Sequence, residues 1–71
     1  MNKTEREELR NKGFTILRAQ HDARKDKWKI SRYTPGGGWT HFSDSWFITR
    51  EDAEQKIDEI MKNFPETYAK D

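Results

Sequence analysis

Lys27, Lys29, Ser31 and Tyr33 follow one another at intervals of two residues, with Arg18, Arg24, Lys25 and Arg32 close by in the chain. Residues two apart lie on one side of an extended strand, so this set presents a row of cations that ends in an aromatic ring. Such a row suits a polyanion, because lysine and arginine hold phosphates while an aromatic side chain enters a groove or stacks on a base. The same residue types also make an ordinary solvated strand face, on which lysine discourages edge pairing.

The remaining candidates for chemistry are weaker. His21 and His41 stand twenty residues apart, and neither they nor Asp22, Asp26 and Asp44 show the spacing of a zinc centre. His41, Ser43, Asp44 and Ser45 have the residue types of a hydrolase triad but are too close along one segment to face each other, and no oxyanion loop accompanies them. Gly36, Gly37 and Gly38 could cradle a phosphate, yet they lead into a strand and no Lys-Ser/Thr pair follows. The expectation is a non-enzymatic protein with no metal, cofactor or small-molecule substrate.

With 71 residues the chain is expected to form one small domain, its ordered core spanning about 14–64. It has no cysteine, so neither a disulfide nor a thiolate zinc site can supplement a small core, and nine aromatic residues must supply much of it. The amino-terminal residues lack the apolar run of a secretory signal, and no segment has the roughly 18 apolar residues of a membrane span. A soluble, cytoplasmic protein without a membrane partner is expected. The formal charge of +1 is unevenly distributed: residues 10–32 carry +6, residues 33–71 carry −4, and the first nine carry −1. A basic sheet side and an acidic helix side follow from that division.

The elements that would position these groups can be read in order. Thr4-Glu5-Arg6-Glu7 has the form of a capping box and Gly13 of a left-handed stop, so a short helix over about 5–12 is possible; with Leu9 as its one apolar residue, it is expected to fray. Residues 14–20, rich in β-branched and aromatic side chains, predict a first strand with Phe14 and Ile16 on one face, and residues 21–26 a polar turn. Residues 27–33 alternate, with Trp28 and Ile30 opposite Lys27, Lys29 and Ser31. Thr34-Pro35 and the three glycines then make a hairpin loop.

The segment 39–48 has aromatics at both parities, so Ser43-Asp44-Ser45 is either a bulge that switches faces or a turn that ends the strand. One of Trp39 and Trp46 is expected inward and the other partly exposed; the pattern leaves open which. Thr49 predicts the cap of a main helix, whose Ala53, Ile57, Ile60, Met61 and Phe64 form one stripe ended by Pro65. Residues 66–71 read as a polar tail anchored by Tyr68. The expected fold is α+β: a three-stranded antiparallel sheet packed on one carboxyl-terminal helix (β-β-β-α), with its other face open.

The Trp-Lys-Ile-Ser-Arg-Tyr strand, the glycine turn, the aromatic strand ending Phe47-Ile48-Thr49 and the helix start Glu51-Asp52-Ala53-Glu54 together resemble the three-stranded-sheet-plus-helix domain at the amino terminus of phage and transposon integrases, related to the plant AP2 DNA-binding domain. The resemblance covers about residues 14–63. It implies a sheet that enters the DNA major groove, with contacts from Arg18, Lys27, Lys29, Ser31 and Tyr33 and from Trp39 or His41. Arg24 and Lys25 at the hairpin tip complete the candidate set. The function expected is binding of double-stranded DNA through a basic, aromatic-containing sheet face, in an accessory protein of a mobile element. The alternative is a protein-interaction or homodimerisation module built on an exposed tryptophan of the sheet.

Overall fold

The computed structural model describes residues 1–71. Asn2 opens the first helix, α1 (Lys3–Asn11): its side chain accepts from the Glu5 N–H at 2.8 Å, and the Glu5 carboxylate reaches back to the Asn2 N–H. The capping box therefore sits two residues upstream of the one expected at Thr4. Gly13, at φ 98°, ends the helix in the left-handed region, as its place in the sequence predicts.

Three strands follow, β1 (Thr15–Asp22), β2 (Lys27–Tyr33) and β3 (Trp39–His41), then α2 (Arg50–Asn63) and a short β4 (Tyr68–Lys70). The sheet order is β3-β2-β1-β4, antiparallel except for β4, which runs parallel to β1. The α+β class is as expected, but the sheet has four strands and the polar tail supplies the fourth. It does so because the outer edge of β1 offers unpaired backbone groups there: Thr15 N–H bonds to Thr67 O and Asp71 N–H to Leu17 O.

Ile16 and Leu17 are consecutive on β1 and both are fully buried. Since neighbouring side chains of a strand point to opposite faces, each face must carry a layer. On one face α2 lays Ile57 against Leu17 and Ile30, with Phe42, Phe47, Ile60, Met61 and Tyr68 around them. Thr49 caps this helix, its Oγ1 accepting from the Asp52 N–H at 3.1 Å. Of the predicted stripe only Phe64, at the end, stays exposed, with its ring against Tyr68.

The second face is not open. α1 lies over the half that holds Ile16 and Tyr33: Phe14 N–H bonds to Leu9 O, the Tyr33 hydroxyl donates to Glu7 Oε1 at 2.8 Å, and the Arg6 guanidinium lies 5.6 Å from the Tyr33 ring centre. A helix with one apolar side chain is held here by polar and cation–π contacts across the sheet, which its own sequence pattern does not display.

The segment after β3 resolves the ambiguous parity. His41 stands opposite Ser31, and Phe42 N–H still bonds to Ile30 O, but pairing resumes only where Phe47 meets Trp28. An uninterrupted ladder would have set Asp44 there, so the residues between form a bulge that moves the inward position from even to odd numbers. Phe42 and Phe47 both reach the α2 core as a result.

Candidate nucleic-acid interface

The register gathers the expected residues on the second face. Arg18 pairs with Ser31, Ser31 with His41, and Tyr33 with Trp39, while Lys29 and Lys27 follow on β2 opposite Gln20 and Asp22. Arg24 and Lys25 are exposed in the turn between β1 and β2, with Lys25 over Trp46. All nine candidates are therefore neighbours, but they are not equally available.

Ser31 and Tyr33 are buried, at 0% and 3% exposure. The Ser31 hydroxyl donates to Gln20 Oε1 at 2.7 Å, and Tyr33 lies under α1, so neither faces a ligand. Both side chains are engaged within the fold. The Glu7 carboxylate, as hydrogen-bond acceptor, is the main cause that raises the Tyr33 pKa above its usual value; burial and the Glu7 charge add to it, against Arg6 and Arg10. A raised folded pKa gives stability that is complete below the unfolded value, about 10, and is lost as pH rises through the folded value. Melting curves from about pH 8 to about pH 11 are expected to fall at the alkaline end, and Tyr33→Phe should start lower and show a flatter decline. An unchanged alkaline slope in that variant would remove the Tyr33–Glu7 contact as its cause.

Arg18, Lys27, Lys29, Arg24 and Lys25 remain on the half that α1 leaves uncovered. The Arg18 guanidinium lies over Trp39, 3.9 Å from the ring centre, with Arg6 at 5.4 Å. Burial lowers the Arg18 pKa, opposed by Asp71 and reinforced by Arg6. At the hairpin end, Lys25 Nζ stands 4.2 Å above the Trp46 ring, which packs edge-on against His41 at 5.1 Å. Trp39 and Trp46 are thus both half-buried on the side away from α2, each beneath a cation. The expected division, one inward and one outward, does not occur, because the bulge delivers Trp46 to the same side as Trp39. Trp46 was missing from the candidate set; the Ser43-Asp44-Ser45 interruption is the signal that leads to it.

The turn that carries these cations is ordered. Asp22 Oδ1 accepts from the Arg24 and Lys25 N–H groups, both at 3.0 Å, and His21 Nε2 lies 3.0 Å from Asp26 Oδ1. The Lys25 N–H chiefly holds the Asp22 carboxyl below its usual pKa, with the Arg24 N–H and the charges of Lys29 and Lys25 assisting against desolvation. Asp22 closes the turn through its side-chain carboxylate, which accepts from backbone N–H groups, and none of Arg18, Arg24, Lys25, Lys27 and Lys29 is ion-paired to a carboxylate.

His21 packs at a tilt of 55° against Trp28 on the α2 face, whereas His41 lies on the other, so the two histidines do not share a site. No group of three His, Cys, Asp or Glu side chains is placed to hold a metal, and no helix is long and apolar enough to cross a membrane. Gly36 and Gly37, at φ 90° and 95°, close the β2–β3 loop, where Thr34 N–H bonds to Gly38 O. No protein-family model, curated protein or solved structure matches the chain.

Proposed function

We propose that this protein is a non-enzymatic nucleic-acid-binding domain that holds double-stranded DNA by phosphate contacts from the β1–β2 hairpin. The observation that carries the reading is the cluster of five cations without carboxylate partners on the uncovered half of the second face. Of the nine other lysines and arginines, Arg6, Arg50, Lys56 and Lys70 are ion-paired, and Lys3, Arg10, Lys12, Arg32 and Lys62 are free but lie outside this cluster. Cations without such partners exchange only water and counterions for phosphate, which makes their transfer to DNA favourable at low salt.

α1 keeps the Tyr33 half of the sheet from lying against a duplex, so contact narrows to the two-stranded end, and a β-ribbon of this kind fits a major groove about 12 Å wide. Arg24, Lys25, Lys27 and Lys29 take phosphates there. Arg18 and Lys25 are held in place by their tryptophans and lose less side-chain freedom on binding. The integrase-like pattern of strand and helix starts extends the proposal to an accessory role in a mobile element.

The test is fluorescence anisotropy of a labelled mixed-sequence duplex of about 20 base pairs at about 50 and about 200 mM salt. Four phosphate contacts give a slope of log K against log salt near −3.6, roughly a hundredfold loss across that interval. Absence of binding at both salts up to high micromolar protein, or binding indifferent to salt, overturns the reading.

A further inference from the structure

Past Leu17 the outer edge of β1 is bare. β4 accompanies β1 only along Thr15–Leu17, and the bonds from Thr15 N–H to Thr67 O and from Asp71 N–H to Leu17 O show that odd-numbered residues turn their backbone groups outward. Ala19 and His21 come next in that series, and their outward N–H and C=O groups have no backbone partner. A cleft of about 470 Å³ runs along this edge. Arg6 and Arg18 line it from the second face, and Arg50, with Trp28 beneath it, from the α2 face.

Two carboxylates also line the cleft, and both are committed: Asp71 Oδ2 to Arg6 at 3.1 Å and Glu54 Oε1 to Arg50 at 3.1 Å. That leaves Arg18 unpaired beside Arg6; Arg6 Nε and Asp71 Oδ1 are both buried without a hydrogen bond, the latter 3.4 Å from the Met1 ammonium. Three guanidiniums and the Met1 ammonium against two carboxylate side chains, around a strand edge with free donors and acceptors, call for a ligand that is both a backbone and an anion. We propose that this edge binds an acidic, extended peptide segment of a partner protein, which adds as a strand beside Ala19–His21.

The partner's N–H and C=O groups pair with those of Ala19 and His21, as in strand addition to other open sheets. Because consecutive side chains of the added strand point to opposite faces, two adjacent acidic residues reach Arg18 on one side and Arg50 on the other. A nucleic-acid phosphate can use the outward N–H groups but is repelled by the carbonyls between them. A second copy of this chain would bring the same arginines against each other. The inference does not depend on DNA binding, with which it shares Arg18 but not Arg50.

The probe is a fluorescein-labelled peptide, acetyl-Thr-Val-Glu-Glu-Val-Thr-amide, titrated in anisotropy at about 50 mM salt. Saturable binding is expected. The Ala19 N–H faces outward, so Ala19→Pro removes an edge donor without taking a bond from the β2 ladder, and should weaken the peptide about tenfold or more. Arg50→Glu should weaken the peptide similarly and leave duplex binding unchanged. In the unaltered protein, amide exchange at Ala19 and His21 should slow when the peptide saturates, a readout that stands even if Ala19→Pro does not fold. Equal affinity for the Gln-Gln version of the peptide, unchanged exchange at both amides, or a dimer in sedimentation that Ala19→Pro dissociates would each overturn the proposal.

Discussion

Replacing Lys27 and Lys29 together by glutamate is expected to lower affinity for a mixed-sequence duplex by about two orders of magnitude at about 50 mM salt. The estimate follows from counterion release: each phosphate contact contributes about 0.9 to the slope of log K against log salt, so losing two lowers the slope by about 1.8 and removes about 10² at that salt. The fold should persist, because neither lysine is in an ion pair and both side chains point away from α2. The control is Lys56→Glu with Lys62→Glu on the exposed side of α2, which makes the same change in net charge on the opposite face. Equal loss in both double variants would mean that overall charge, not the hairpin, governs binding. Unchanged affinity in the Lys27/Lys29 variant would remove the sheet-face site altogether.

What the sequence discloses about this site is side, not cover. Alternation along 27–33 correctly sets Lys27, Lys29, Ser31 and Tyr33 on the face away from Trp28 and Ile30, because side-chain direction is a property of the strand itself. Whether that face meets water depends on partners distant in sequence: Glu7 on Tyr33 and Arg6 on Tyr33 and Trp39. A helix with one apolar residue gives no periodic sign that it will pack, so α1 was legible as a helix and not as a layer.

The α2 side was legible for the opposite reason. Thr49 marks its start and the spacing of Ala53, Ile57, Ile60 and Met61 marks its buried stripe, both through local rules. β4 was missed because three residues carry no usable period, and their pairing is dictated by the edge of β1. The parity switch between His41 and Phe47 was visible only as an ambiguity, since aromatics at both parities fit either face until Trp28 selects Phe47.

Ile57→Ala is expected to cost about 2–5 kcal/mol, the range for removing a large aliphatic side chain from a packed core. Ile57 has no exposed surface and is the α2 residue of the fully buried cluster with Leu17 and Ile30, so little of its surroundings can collapse inward without moving the helix. A domain of this size has roughly 4–10 kcal/mol in total, so the loss takes about half, and at about 4–8 °C per kcal/mol the melting midpoint falls by about 8–40 °C. Urea titration followed by circular dichroism measures it, and Ile60→Ala, at a half-buried position of the same stripe, should cost less. The consequence for binding separates scaffold from site. Phe42 and Phe47 rest on the Ile57 cluster and set the bulge that holds Trp46 under Lys25. Apparent DNA affinity of Ile57→Ala should therefore drop only by the fraction unfolded, and return when cooling restores the fold. A cost below about 1 kcal/mol would show that α2 is not what fixes the sheet.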